Sequence, residues 1–225
     1  MRRLALVLLV LPLAAACGGH EKAAPTASTA VPADPGKAAL TALVQAAKRD
    51  DRKTMWNLLS TASQRRMGGY ESFRTGGAEA LERTLAPFAG KDLEPFVSQS
   101  VSAPFGIVAV RSGTNALGFP LRHEHGAWKI ETPGPLTFQI IGPSPGSTGR
   151  VSQVAVEVRS PRVVDDAVVW VDGELIPPTL APAKGRATVF ASLARPLSPG
   201  THAAVVYAVE GNDAGAEAWT FSASG

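Results

Sequence analysis

At 225 residues the chain has room for one large domain or two small ones. Hydrophobic residues at 45% against charged residues at 18% allow a buried core and exclude a wholly disordered chain. The formal charge is only +3, no stretch interleaves Lys and Arg with aromatics, and a nucleic-acid partner is not expected. A lone cysteine excludes a disulfide framework, so packing has to supply the stability.

The first element is an export leader over residues 1–16. Arg2-Arg3 precede an apolar run over 4–16, which Pro12 interrupts. The run is shorter than the about 20 apolar residues that a membrane span needs, and it ends in small residues. The segment Leu13-Ala14-Ala15-Ala16-Cys17 resembles the lipobox of bacterial lipoproteins, departing from it where Ala14 replaces the commonest residue, Leu. The resemblance implies cleavage before Cys17, a diacylglyceryl group on its sulfur, and a protein held on the extracytoplasmic face of the cell membrane. Two acyl chains hold firmly, since each buried methylene contributes about 0.8 kcal/mol. Ordinary secretion through Ala14-Ala15-Ala16 is the alternative, and it leaves an unpaired thiol at the new N-terminus. Losing Arg2 and Arg3 with the leader takes the formal charge of +3 down by two, to +1.

Residues 17–36 are rich in Ala, Pro, Thr and Gly and lack large apolar side chains, the composition of a flexible tether. His20 falls within it. Asp34-Pro35 then reads as an N-cap followed by proline at the first helical position. Leu40, Leu43, Val44 and Ala47 recur at helical spacing, with Lys48-Arg49 at the C-terminal end. Asp50-Asp51 start a second helix carrying Met55, Trp56, Leu58 and Leu59. Ser60 caps a third, ended by Gly68-Gly69. A fourth, over about 71–85, presents Phe73, Leu81 and Leu85 and is interrupted at Gly76-Gly77.

After Pro87 the period changes to two. Strands are predicted at 96–101, 105–111, 115–124 and 127–131, the last two joined around His125-Gly126. Leu117, Phe119 and Leu121 alternate with Gly118, Pro120 and Arg122, which predicts a half-buried antiparallel strand. Helices followed by such a sheet make an α+β domain over residues 37–135.

The order of these parts resembles an NTF2-like domain over roughly residues 37–132. A first helix leads to Asp51 with Trp56-Asn57-Leu58-Leu59-Ser60, then to a helix containing Phe73, then to a hairpin closed by Gly126-Ala127-Trp128-Lys129-Ile130-Glu131. The resemblance implies a curved sheet wrapped on a helix, forming a cone whose pocket holds a ligand in some members and is filled in others. Enzymes of that family place Asp, Tyr or His inside the cone as general acid or base. Here Asp50, Asp51, Tyr70, His123 and His125 are the candidates, and Trp56, Tyr70, Phe73, His123 and His125 are the candidate pocket.

Pro133-Gly134-Pro135 punctuates the boundary to a second domain, residues 136–225, with no helical period. Val154, Val156 and Val158 alternate with Ala155, Glu157 and Arg159. The stretch 167–171 runs into the hairpin turn Asp172-Gly173. Ala187, Val189, Ala191 and Leu193 make another apolar face, Pro199-Gly200 introduces 205–209, and Trp219 and Phe221 lie near the end. Such strands with Gly/Pro turns predict a β-sandwich. The run from Leu197-Ser198-Pro199-Gly200-Thr201-His202 through Val206-Tyr207-Ala208 to Trp219-Thr220-Phe221 resembles the last strands of bacterial immunoglobulin-like domains, a class used for adhesion, spacing and stacking.

Catalytic signals are weak throughout. Asp50 and Asp51 fit helix capping. Tyr70 fits a core or rim aromatic. His123 and His125 alternate onto one strand face, but zinc takes three or four ligands and no third follows. Asp165-Asp166 read as a loop with too few oxygens for calcium, and His202 as a packed or hydrogen-bonded residue at its strand's start. No G-x-S-x-G and no phosphate loop occurs. Trp56, Trp128, Trp170 and Trp219 are spread one per element, as core anchors are. No catalytic residue, metal or cofactor is expected. The sequence thus suggests a non-catalytic, lipid-anchored envelope protein that binds a partner protein, a wall polymer or a small ligand. The alternatives are an isomerase- or hydratase-type enzyme using the cone, and a structural spacer in a surface complex.

Overall fold

The computed structural model describes residues 34–90 and 92–224, all within one compact unit. Three side-chain caps set the starts of the first helices. Asp34 accepts from the Lys37 amide at 2.9 Å and, with Pro35 at the first position, opens α1 (Pro35–Lys48). Asp51 accepts from the Thr54 amide at 3.0 Å to open α2 (Arg52–Leu58), and Ser60 from the Ser63 amide at 3.1 Å to open α3 (Thr61–Arg66). Helix restarts as α4 (Tyr70–Ser72) and continues through a π turn (Phe73–Gly77) into α5 (Ala78–Leu85). The chain widens rather than breaks at Gly76-Gly77, and Arg52 Nη1 donates to the Arg74 carbonyl there at 2.7 Å. No helix among the described residues is long and apolar enough to cross a membrane.

Four strands follow as an antiparallel meander: β1 (Pro95–Ser102), β2 (Phe105–Ser112), β3 (Asn115–Glu124) and β4 (Ala127–Ile130). One face of this sheet presents Val108, Val110, Phe119, Leu121 and Ile130 to the helices. Leu40, Leu43 and Val44 of α1 meet it there, with Met55, Leu59, Phe73, Leu81 and Leu85. A short bridge from Leu59 to Ile130 ties the α2–α3 joint to the sheet's edge, and the Ser60 amide donates to the Ile130 carbonyl at 2.9 Å.

The remaining strands form a sandwich. One sheet runs β10 (Thr179–Ala183), β11 (Arg186–Ser192), β7 (Gln153–Arg159), β5 (Thr137–Gly142). The other runs β6 (Thr148–Gly149), β13 (Asp213–Ala223), β12 (Gly200–Glu210), β8 (Asp166–Val171), β9 (Glu174–Ile176). This is the immunoglobulin-type order, with β5, β7, β11 and β10 in the places of strands A, B, E and D, and β13, β12, β8 and β9 in those of G, F, C and C′. The β8–β9 turn is Asp172-Gly173, both at positive φ (50° and 87°), which a two-residue hairpin of this hand requires. Val154, Val156, Val158, Val169, Val189, Val206, Trp219 and Phe221 fill the space between the sheets. The tryptophan facing this core is Trp219 of β13. Trp170 of β8 points the other way.

Trp170 points into a third core. The face of the meander turned away from the helices, expected to be solvated, is covered by the five-stranded sheet. Val97, Phe105, Ile107 and Ala109 of the meander pack there against Trp170, Val205, Tyr207, Ala214 and Ala218. The described chain is therefore a stack of four layers: helices, meander, and the two sandwich sheets. Small side chains set the spacing. A Cβ on Gly118 of β3 would lie 3.2 Å from Val205 and 3.3 Å from Ala218, so a larger residue there would push β3 away from β13 and β12 by a few tenths of an ångström.

Polar contacts clamp the interface at both ends of β12. At the β12–β13 turn, Arg122 Nε donates to Glu131 Oε1 at 2.7 Å, its other arm donates to the Asn212 carbonyl, and its guanidinium lies 4.7 Å over the Phe105 ring. Arg66 reaches Asp213 at 3.0 Å and the Pro133 carbonyl at 2.6 Å. At the other end Arg111 donates to the Thr201 carbonyl at 3.2 Å, and Thr220 Oγ1 to the Thr114 carbonyl at 2.6 Å. Glu131 is fully buried, with its second oxygen, Oε2, unpartnered; Tyr207 Oη is likewise buried without a partner.

Two substitutions and the unfolding of the unmutated chain test this interface. Trp170→Ala empties a site in the third core and is expected to cost about 3–5 kcal/mol, as large-to-small changes at buried aromatics do. In urea, tryptophan fluorescence and far-UV circular dichroism should trace one coincident transition for the unmutated chain. Separate transitions for helical and sandwich halves would contradict a shared core. Tyr207→Phe removes a hydroxyl that has no partner, so at pH 7 it should be neutral or stabilising by up to about 1 kcal/mol. Burial pushes the Tyr207 phenol well above its ordinary 10.0; the Glu131 carboxylate adds to this and Arg122 opposes it. The unfolded chain releases that proton near pH 10 and the folded chain keeps it. The associated stability is thus complete below pH 10 and declines as pH rises beyond it. Urea midpoints measured from pH 8 to 12 should show a steeper alkaline decline for the unmutated chain than for Tyr207→Phe.

Candidate functional site

Trp56 from α2, Tyr70 from α4 and Phe73 from the π turn meet. Trp56 lies edge-on to Tyr70 at 5.9 Å and tilted to Phe73 at 5.4 Å. Phe73 is fully buried and belongs to the helix–sheet core, while Trp56 and Tyr70 are half-buried at its margin. The Lys53 ammonium covers the Tyr70 ring at 4.6 Å. Outside this group lies a shallow depression edged by Asp50, Asp51, Arg52 and Arg74. Its charges are already engaged. Asp50 accepts from Arg52 at 2.8 Å and Arg74 donates to Glu71 at 2.8 Å. Hydrogen bonds from Thr54 hold the Asp51 carboxyl below the usual carboxylate range. Both aspartates act as local structure: a cap, and an ion pair at a turn residue of φ 52°.

His123 and His125 do not share a strand face. β3 ends at Glu124, and His125 enters the turn at φ 51° with Gly126 at 78°. His123 is exposed, its ring tilted against its cross-strand neighbour Trp128 at 5.3 Å. No ring contact among the described residues joins either histidine to Trp56, Tyr70 or Phe73. No group of three or more His, Cys, Asp or Glu among the described residues could hold a metal ion. Cys17 lies outside the described residues.

The concavities lie elsewhere. One, of about 420 Å³, opens beside the 133–134 connection, where Phe119, Pro120, Glu131 and Glu217 are among its lining; burial pushes the Glu217 carboxyl up. A larger one, of about 520 Å³, lies at the end of the sandwich where β12 begins. Three segments converge there: Arg150-Val151-Ser152 before β7, the 193–197 loop after β11, and the end of β13. Backbone bonds hold them together, from the Leu193 amide to Ser152 at 2.8 Å and from the Ser224 amide to Gly149 at 3.0 Å. Val151, Leu193 and Leu197 form an apolar floor packed on the sandwich core. His202 steadies the loop, with Nε2 at 2.8 Å from the Ser198 carbonyl and Nδ1 at 2.6 Å from Asp172. Arg150 and Arg195 stand on the rim. An adjoining groove of about 230 Å³ shares residues 150–152 and includes exposed Ile141. Sequence reasoning passed over this end; the available signal was Leu193, Pro196 and Leu197 within a connection otherwise expected to be polar.

No family model matches the chain, and no curated protein matches it. Among solved structures, it is similar to PcoC, a methionine-rich copper resistance protein from Escherichia coli, at 13% identity over 35% of this chain and 87% of that one, with a TM-score of 0.27. A chain of the titin M10–obscurin-like 1 Ig complex is 13% identical over 41% of this chain and 96% of its own, with a TM-score of 0.27. The endo-β-1,4-mannanase from Thermotoga petrophila is 10% identical over 66% of this chain and 35% of its own, with a TM-score of 0.33. Scores of this size carry no argument, and the assignment of an immunoglobulin-type sandwich rests on the strand order of the chain itself.

Proposed function

We propose that this chain is a lipid-anchored protein of the bacterial envelope that binds a partner or ligand outside the membrane and catalyses no reaction. In this reading Cys17 carries the diacylglyceryl anchor, the tether expected over 17–36 ends at residue 33 because Asp34 already caps α1, and the helices with the meander are an NTF2-like domain whose cone is filled. The observation that carries the non-catalytic part is the content of that interior. Leu40, Leu43, Met55, Leu59, Phe73, Leu85, Leu121 and Ile130 occupy it, each 1% exposed or less. These side chains offer no acid, base or nucleophile, and they take the volume that a substrate needs. Phe73, a candidate pocket residue, is one of the fillers. A binding role then falls to loops and strand ends, where the concavities lie.

The anchor is tested by fractionating cells that make the full chain with its own leader. The unmutated protein is expected in the membrane fraction, cut before Cys17 and heavier by a diacylglyceryl group in intact-mass analysis. Cys17→Ala should move it out of that fraction. A bare thiol on exported, soluble, unmutated protein would overturn the anchored reading.

A further inference from the structure

We infer that the open end of the sandwich binds an anionic amphiphile: a carboxylate or phosphate monoester carried on a single alkyl chain. The inference rests on the binding reading above and is independent of the anchor.

Charge is the first argument. Nine arginines among the described residues lie within ion-pair distance of a carboxylate. Among the described residues, the side chains of Arg150 and Arg195 have no such partner and no hydrogen bond, and both line the same groove. No Asp or Glu among the described residues lines that groove or its neighbour. Asp172, the acid of the β8–β9 turn that holds His202, is committed to that ring and to the Ala203 amide at 2.9 Å. The rim therefore holds two guanidinium forks that no described carboxylate neutralises, and such forks pair best with planar or tetrahedral oxyanions.

The floor is the second argument. Val151, Leu193 and Leu197 extend the sandwich core to the surface, and Pro196 and Ala223 flank them. A bare anion leaves that floor in water, and a purely apolar ligand leaves both arginines unmatched. A molecule with an anionic head and a hydrocarbon tail satisfies both. The volume, about 520 Å³, lies within the range of small-ligand sites, and the adjoining groove past Arg150 gives a longer tail somewhere to run.

The test uses the full chain as Cys17→Ala, so that no acyl chain of its own competes. Octanoate, octyl phosphate, neutral octyl glucoside, acetate and inorganic phosphate are titrated by calorimetry, with amide shifts followed by NMR. Octanoate or octyl phosphate should saturate one site and move the amides of 150–152 and 193–197; the better of the two identifies the head group. Replacing both arginines (Arg150→Gln with Arg195→Gln) should weaken this binding about tenfold, the size expected for two exposed charge contacts. Leu197→Ser, with both arginines kept, should weaken it as well. Arg65→Gln, at an arginine that also lacks a partner but lies far along the chain on α3, should change nothing. Equal binding of octyl glucoside, equal binding of acetate or inorganic phosphate, indifference to the arginine pair, or absence of saturable binding each overturns the inference. None of these readouts depends on Cys17, and fractionation does not depend on the groove, so either reading can fail alone.

Discussion

The fold depends on β12 being buried on both faces. Residues 203–208 are each 1% exposed or less, with Ala204, Val206 and Ala208 turned to the sandwich core and Val205 and Tyr207 to the core shared with the meander. A strand so placed cannot be exposed on one side without opening apolar surface on that side, so the helical half and the sandwich are energetically coupled. Close approach makes this possible. Gly118 on β3 faces Ala216 and Ala218 on β13, and the absence of bulk lets two sheets meet over a narrow apolar layer. The clamps at either end of β12 then fix direction: Arg66 and Arg122 hold its turn, and Arg111 and Thr220 hold its start.

Local structure was legible wherever one residue's chemistry decides it. Asp34, Asp51 and Ser60 each cap a helix because a short side chain ahead of a helical run satisfies a free amide, and no tertiary information is needed for that. Strands buried on one face, such as β7 and β11, follow period two, and Asp172-Gly173 announces its hairpin through the positive φ it demands. The covering of the meander was not legible in the same way. Gly118, Pro120 and Arg122 alternate with Leu117, Phe119 and Leu121 as solvent-facing residues do, yet that face lies beneath another sheet. The hint was present in the unbroken apolar stretches 107–110 and 203–209, since strands buried on both faces lose their alternation. Trp170 gave no hint of its direction, because an aromatic in a strand serves either face.

The candidate sites show the same division. Tyr70 and Phe73 are three apart on one helical stretch, and their adjacency follows from helical spacing; Trp56 joins them only through tertiary packing. Counting in twos pairs His123 with His125, but that count runs past the strand's end into the hairpin turn that His125-Gly126 itself makes, where alternation no longer holds. Arg150 and Arg195 lie in loops brought together only by the sandwich topology, and nothing local links them. Cys17 is the opposite case, a residue whose expected chemistry is written wholly in the few side chains before it.

Filling three cores restricts where this molecule can meet anything else. With the helix–meander interior occupied by leucines and Phe73, and the sheet-to-sheet layers closed by alanines, valines and buried aromatics, contact is left to the ends of strands and their loops. The two ends of β12 differ in charge economy. At the β12–β13 turn, Arg66, Arg122 and Arg162 are matched by Asp213, Glu131 and Glu210 at 3.0, 2.7 and 2.8 Å, and that end serves cohesion. At the opposite end Asp172 is spent on His202, which in turn steadies the loop carrying Arg195. Fixing that loop reduces the entropy lost when a ligand orders the rim, and it does so without neutralising the cations. An end built with a steadied loop, an apolar floor and unmatched positive charge is suited to recognition, and the end whose charges are already matched is not.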